Sequence, residues 1–361
     1  MRILYLLPTS EEFRHGIWFY RNRTPARALR ERGHEVKMAV FVPPIASGWF
    51  KITDVVVFRG VYPVDPIPEL RKFKRKGIRV VYDSDDDMFT VNPDNPAQKA
   101  SKEKLEQYSA LLSEADVVTT TTEILKKRFL KFNKNVAVVP NALDFTEFIE
   151  RRKQGGELKV GYTGGASHWG DLEMILDVIE ELQKKYQFKF VLQGMTGSPL
   201  VAEMYTYKYY LDHQLQPEKN EYFKTALKVF AKLRGIYHVH IPWYPPELYP
   251  SILSGMDLDI GICPLKDNKF NQAKSCIKFY EYAAVGTVCL ASDVMPYKKE
   301  CCYRAKNKFK DWYKKLERLI VDEKFREKIL NKQWAFVEKN RNIREVVKEW
   351  EKVFGYDYRK S

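Results

Sequence analysis

Apolar residues gather along this chain in short uninterrupted runs, and each run is followed by a stretch in which apolar positions recur at helical spacing. Arg2–Leu7 is the first run and predicts a short buried strand. After a loop, Thr24 and Pro25 open a helix that Gly33 closes: threonine as cap, proline in the first turn and glycine past the end are the expected punctuation. Further strands are predicted over Glu35–Phe41, Asp54–Phe58, Ile78–Tyr82, Asp116–Thr119 and Val136–Val139. Helices over Pro68–Lys76 and Glu103–Ser113, and one starting at the capping-box spacing Thr120–Glu123, alternate with them.

Residues Leu143–Glu157 break this rhythm with charge and a Gly-Gly pair, as an interdomain linker would. A second series then begins: a strand over Lys159–Thr163, an amphipathic helix over Asp171–Tyr186 and a strand over Phe188–Gln193. Strands over His238–Ile241, Leu258–Cys263 and Val288–Ala291 complete it, and the chain from Asn307 is largely helical. Between these lies Gly194–Gly235, carrying Tyr205, Tyr207, Tyr209 and Tyr210 ahead of a helix over Pro217–Leu233. That segment reads as an oligomer contact, an acceptor lid, or an elaborated connection packed on its own domain. Repeated β-α-β units imply two doubly wound α/β domains, expected over residues 1–145 and 157–335, with a C-terminal helix at about 340–361 packing back on the first. Ligands in such folds bind beyond the carboxyl ends of the strands.

Length agrees, since 361 residues exceed what one hydrophobic core usually supports. No apolar run reaches the roughly 20 residues of a membrane span, and the start carries no cleavable-leader pattern, so a cytoplasmic protein is expected, with peripheral contact at the inner membrane face as a further option. The five cysteines show no metal-ligand spacing and read as reduced thiols, the adjacent Cys301 and Cys302 included. A net charge of +14 adds attraction to something anionic: membrane headgroups, a nucleic acid or a phosphate-bearing substrate. The positive charge is densest at Arg71–Lys76 and at Lys126-Lys127-Arg128 with Lys131 and Lys134, either as interfacial basic faces or as solvated helix surfaces.

Chemistry concentrates in Pro264–Tyr297. A strand ends at Cys263, a polar loop follows, and a helix starts around Ser275 and stops before Gly286. Its amides and dipole suit a diphosphate. At 100° per residue Lys274, Lys278 and Glu281 project within a narrow arc, either as two ammonium groups and a carboxylate facing a ligand or as a surface Lys-Glu pair. Lysines there could neutralise a departing nucleoside diphosphate, and the carboxylate could accept from ribose hydroxyls.

Phe270-Asn271, Lys274-Ser275, Lys278, Glu281-Tyr282, Ala283-Ala284, Gly286 and Ser292 match, in order, the donor-site signature of group 1 (GT4-like) glycosyltransferases, and the chain resembles that family. Val138–Asp144 with Phe148, the turn Gly161–His168, and Met1–Val36 with Tyr20-Arg21 are similar to further family segments. The resemblance implies the GT-B fold, two Rossmann-like domains facing each other across a cleft, and a retaining hexosyltransferase that takes a nucleotide sugar and needs no cofactor. It implies that Glu281 holds the nucleotide ribose and that Gly164 and Gly165 lie beside the donor phosphates with Lys274, Ser275 and Lys278. Where many members carry a sugar-contacting glutamate, this chain has Ala273.

The run Asp83-Ser84-Asp85-Asp86-Asp87 follows a predicted strand directly and reads as a proton-accepting or cation-holding cluster, or as a solvated acidic turn. The family's strand end at this place lies near the reacting centre, which implies Asp85 and Asp86 as acceptor-side catalytic residues, without metal. His168 is placed to donate to a phosphate or sugar hydroxyl, or is a hydrogen-bonded structural histidine. His15 and Gly16 sit in the loop that the family uses for acceptor and phosphates, and Arg21 pairs with an anionic ligand or makes an interdomain salt bridge. The expected partners are a nucleotide sugar and a saccharide or lipid-linked acceptor in glycan synthesis. A GT-B enzyme or binder acting on nucleic acid, and a non-catalytic GT-B scaffold, are the alternatives.

Overall fold

In the computed structural model the described residues are 1–10, 16–91, 101–151, 155–194 and 221–355. Two parallel six-stranded sheets carry the chain. The first contains β1 (Arg2–Leu7), β2 (Glu35–Val40), β3 (Val55–Arg59), β4 (Arg79–Asp83), β5 (Val117–Thr120) and β6 (Val136–Val138), in the order β2-β1-β3-β4-β5-β6. The second contains β7 (Lys159–Gly164), β8 (Lys189–Gly194), β9 (His238–Ile241), β10 (Ile260–Cys263), β11 (Val288–Ser292) and β12 (Tyr303–Ala305), in the order β12-β11-β10-β7-β8-β9. Strands buried on both faces explain the unbroken apolar runs: all five residues of β3 and of β11 are buried.

Strand order reverses beside β1 in the first sheet and between β7 and β10 in the second. Crossover helices leave opposite faces on the two sides of such a point, so the loops beyond the strand ends part and leave a crevice. The reversal in the second sheet puts the turn after Gly164 next to the loop after Cys263, which are the two segments the sequence marks as chemical. Close packing holds them there: a Cβ on Gly261 would lie 2.5 Å from the Tyr282 ring, and the Tyr282 hydroxyl accepts from the Thr163 amide at 2.8 Å.

The two halves meet through short backbone links. Leu143 donates to the Arg341 carbonyl at 2.8 Å and Ile343 donates to that of Leu143 at 2.8 Å, so the outgoing and returning strands of chain are tied at one point. Helix Ile343–Phe354 then lies against helix Thr24–Glu31 of the first half. His34 lies 2.9 Å and Arg32 2.7 Å from Glu351, and the Arg21 guanidinium stacks 4.7 Å over the Trp350 ring.

Several predicted details change. Helix Thr24–Glu31 starts where the sequence predicts, but Thr24 is not its cap: among the described residues helical backbone already runs from Gly16 and passes through a π-helical turn at Phe19–Arg23. Pro25 has no N–H for the preceding turn, and the widened turn lies directly before it. Thr122 rather than Thr120 caps helix Glu123–Phe129, accepting from the Leu125 amide at 3.2 Å, while Thr120 ends β5. A helical turn, Lys269–Gln272, capped by Asn268, interrupts the predicted polar loop. The edge strand β12 is too short and polar to show a period, which is why no strand is predicted there. Helix Glu221–Leu233 matches the end of the predicted Pro217–Leu233; Tyr205, Tyr207, Tyr209 and Tyr210 lie outside the described residues. All five cysteines are free thiols.

Candidate active site in the crevice

The second half supplies two helix starts. Helix Trp169–Lys185 begins just after Gly164 and Gly165, and helix Ile277–Ala284 begins just after Ser275 and Cys276. No side chain caps either one, so the first-turn amides are open to an anion. Gly165 is exposed, and a Cβ there would meet nothing within 4 Å. Gly164 is constrained from within instead, since its Cβ would lie 2.8 Å from the Tyr162 hydroxyl.

Lys278 stands in the first turn of helix Ile277–Ala284, half-buried, with no carboxylate or hydrogen-bond partner among the described residues. Burial pushes its ammonium below the usual lysine range and the nearby Lys274 pushes the same way, against the opposing influence of Cys263, Glu281 and Asp171. A half-buried cation left unpaired is costly, and an anion in the crevice would relieve it. Lys274 lies 4.6 Å over the Phe270 ring and 3.8 Å from Asp86 Oδ1, so it reaches across to the first half.

His168 is fixed by Asp171, whose Oδ2 lies 2.7 Å from Nδ1 and whose Oδ1 accepts from the Lys266 amide at 2.7 Å. Burial first, and the Lys278 charge second, push the imidazole down to about 4. The ring is therefore neutral near pH 7, with its proton on Nδ1 facing a carboxylate that can only accept. In that tautomer Nε2 is an acceptor, suited to a hydroxyl, and the Asp171 contact is that of the hydrogen-bonded histidine which the sequence leaves as its second alternative.

Glu281 is buried at the junction of the halves. Tyr20, from the first half, donates to Oε1, and the Tyr249 hydroxyl lies 3.0 Å from Oε2 and 3.0 Å from Thr163 Oγ1. Burial raises its pKa, while the Tyr20 bond and Lys278 oppose the shift. Ser275 accepts from Asn141 at 2.9 Å, and Thr122 donates to the Ala273 carbonyl at 2.9 Å, two further ties across the crevice. Ala273 itself is buried and packs into the first half's apolar core.

The acidic run divides by role. Asp83 accepts from Arg21 at 3.1 and 2.5 Å and from Thr119 at 2.7 Å, both ionic partners being about 1% exposed. Arg21 also donates to the Val139 carbonyl at 2.6 Å and to Asn141 at 3.3 Å, so its guanidinium is spent inside the first half. Asp87 caps the turn Met88–Thr90 and pairs with Arg128 at 2.8 Å. Asp85 lies 3.2 Å from Arg59. Asp86 is left toward Lys274, and desolvation pushes its carboxyl up to about 6, with Lys274 opposing and Asp85 reinforcing the shift. Gly16 starts the first-half helical turn at the crevice side of β1, and His15 lies outside the described residues. Among the described residues no group of three metal-ligating side chains occurs.

Asp171 and Tyr249 are not singled out by the sequence, and Tyr20, Thr163 and Asn141, though within segments that resemble the family, carry no sign there of the contacts they make. Asp171 alone has a local signal, the i,i+3 spacing from His168 at a helix start. The others contact the site from far along the chain, Tyr20 from 261 positions away, and no local period reports that.

No family model matches the chain, and no curated protein matches it. Solved structures do. HepE from Anabaena in complex with UDP is 10% identical, with a TM-score of 0.67 over 98% of this chain and 100% of that one. An alpha-glucosyltransferase in complex with UDP and a DNA containing a HMU base is 15% identical, with a TM-score of 0.63 over 98% and 99%. The OtsA apo structure is 10% identical, with a TM-score of 0.63 over 99% and 100%. These likenesses span nearly the whole chain and show its fold, the GT-B arrangement of two parallel α/β sheets.

Proposed function

We propose that the protein is a glycosyltransferase that takes a nucleoside-diphosphate sugar as donor and transfers the sugar to a hydroxyl acceptor, with retention, as in the GT4-like family. The carrying observation is Lys278: a half-buried ammonium without an anionic partner among the described residues, in the first turn of an uncapped helix, beside a neutral histidine. The UDP and UDP-glucose complexes of the structural neighbours HepE and the alpha-glucosyltransferase support this reading.

In this reading the diphosphate lies between the starts of helices Trp169–Lys185 and Ile277–Ala284, with Gly164, Gly165, Ser275, Lys274 and Lys278 around it. The anomeric carbon's bond to the phosphate oxygen breaks as the acceptor oxygen bonds to that carbon, and the electron pair leaves with the diphosphate. Lys274, Lys278 and the helix amides stabilise that charge. Asp86, beside Asp85, takes the acceptor's proton, and His168 Nε2 receives a hydrogen bond from the donor sugar. Glu281 offers its carboxylate to the ribose once the Tyr20 hydroxyl yields. The halves 1–145 with 340–361, and 157–335, close around the donor and exclude water.

A saccharide or lipid-linked acceptor fits best. Lys126, Lys127, Lys131 and Lys134 form a basic surface without ion pairs among the described residues, which suits an anionic membrane face. No helix of the described residues is long and apolar enough to cross a membrane. The DNA in one neighbour's complex, with the +14 charge here, makes modified DNA the second acceptor to try. The test is turnover: UDP-, GDP-, ADP- and dTDP-sugars are offered with oligosaccharide, lipid-linked and duplex acceptors. Transfer or donor hydrolysis with one of them is expected. Inertness toward every donor, with no nucleotide binding, would leave only a non-catalytic scaffold.

A further inference from the structure

Phe89 is a large aromatic residue that stays 42% exposed three positions after Asp86. Its place is fixed from three sides. Asp87 caps the turn Met88–Thr90 by accepting from the Phe89 amide at 3.0 Å. The Phe132 ring lies nearly parallel to it, 10° apart in plane at a centroid distance of 5.2 Å. The Tyr108 ring stands 5.2 Å away at 47°. Aromatic contacts of this kind hold a ring in one orientation and leave the rest of its surface available. Tyr108 is buried and its hydroxyl donates to the Asp86 carbonyl at 2.8 Å, so the support behind the Phe89 ring also positions the residue that faces Lys274.

The turn borders the crevice. Arg128 pairs with Asp87 at 2.8 Å, lies 3.3 Å from Thr90 Oγ1, and donates to the Lys269 carbonyl of the second half at 2.8 Å. Lys269 opens the helical turn that precedes Lys274. Three residues of chain span at most about 11 Å, so a ring lying on Phe89 and a hydroxyl at the Asp86 carboxylate belong to one or two linked units of a ligand. An apolar surface this close to a carboxylate suits a molecule with C–H bonds on one face and hydroxyls round its edge, which describes a pyranose. The neighbouring carboxylates are matched one for one, Asp85 by Arg59, Asp87 by Arg128 and Asp86 by Lys274, so these pairs contribute no surplus positive charge for a phosphate backbone.

We propose that Phe89 is the platform on which the acceptor rests, and that the acceptor is a saccharide whose ring stacks on it with one hydroxyl directed to Asp86. This rests on the reading of Asp86 as the group that takes the acceptor's proton, and it narrows the acceptor from a hydroxyl compound of any kind to a sugar ring. Phe89 takes no part in the proton transfer: it binds the ring and so sets which hydroxyl arrives at the carboxylate.

Saturation-transfer NMR tests it on the full chain, with glucose, galactose, mannose, maltose and cellobiose offered singly in the presence of UDP. Phe89→Leu keeps an apolar side chain and removes the aromatic face, whereas Phe89→Tyr retains that face. Melting temperature checks that both variants fold, and calorimetric titration of UDP checks the donor side. At least one saccharide is expected to bind the wild type, with the strongest saturation on the ring protons of one face, and to bind Phe89→Leu at least tenfold more weakly. Phe89→Tyr should bind it within threefold of the wild type, and UDP affinity should stay within twofold across the three proteins. If UDP binds none of them while a saccharide still depends on Phe89, the donor reading falls and the platform stands. The proposal is overturned if no saccharide binds, or if folded Phe89→Leu binds as the wild type does. It is equally overturned if an oligonucleotide duplex, offered in the same way, is the one probe whose binding depends on Phe89.

Discussion

The two walls of the crevice handle charge in opposite ways. On the first half, carboxylates follow β4 in close succession, and most are consumed at once: Asp83 by Arg21 and Thr119, Asp85 by Arg59, Asp87 by Arg128. On the second half, two lysines approach an uncapped helix start, and Lys278 has no anionic partner among the described residues. The acidic wall is neutralised from within and serves largely as a frame, whereas the basic wall is left incomplete. Incompleteness in a crevice marks where a ligand goes, because the protein has spent free energy on a field that it does not itself satisfy.

The largest effect should come from disturbing the frame. Asp83→Ala leaves the Arg21 guanidinium buried without its counter-ion, at a cost of about 3 to 5 kcal/mol in urea unfolding. Unchanged stability with lost turnover would assign Asp83 to chemistry and erase the contrast. Lys278→Ala should lower kcat/KM by roughly a hundred- to a thousandfold, the loss usual for one electrostatic partner of a developing anion, while the melting temperature of the unliganded protein holds or rises. Stability is expected to hold because burial, the largest influence, disfavours the ammonium and outweighs the support that it draws from Cys263, Glu281 and Asp171.

Asp86 is the exception on the acidic wall, and its pH behaviour sharpens the comparison. Its carboxyl is pushed up to about 6, so it is protonated below that pH and ionised above it. If the ionised form accepts the acceptor's proton, kcat/KM rises with pH through about 6; Asp86→Asn should flatten that limb and cost about ten- to a hundredfold at pH 7. Because Asp85 adjoins it, the limb belongs to the pair. The smallest effect is expected at Thr122→Ala, which loses a helix cap and a hydrogen bond to Ala273 and should destabilise by about 1 kcal/mol in the same urea assay.

The strands were legible because burial on both faces writes an unbroken apolar run, and β1, β3 and β11 are such runs. The edge strand β12, three residues long and only partly buried, leaves no such trace. At the crevice, helical spacing grouped Lys274, Lys278 and Glu281; the last two do lie on one short helix, whereas Lys274 precedes it in the link from helix Lys269–Gln272. What the spacing could not convey was occupancy. Arg21 and Asp83 look as available in sequence as Lys278 and Asp86, yet their pairing spans 62 positions and is set by the packing of the first sheet. Likewise the lowered pKa of His168 follows from burial and its orientation from Asp171, whereas residue identity alone left it open between a donor to the ligand and a hydrogen-bonded structural histidine.

Nucleotide binding bears most directly on the incomplete basic wall. UDP is titrated calorimetrically into the wild type and into Lys278→Ala at one ionic strength, with Lys126→Ala as a surface-charge control. The account predicts tight binding to the wild type and to Lys126→Ala, and at least a tenfold weaker association with Lys278→Ala. Equal affinity in all three, or a loss in Lys126→Ala as large as that in Lys278→Ala, would contradict it.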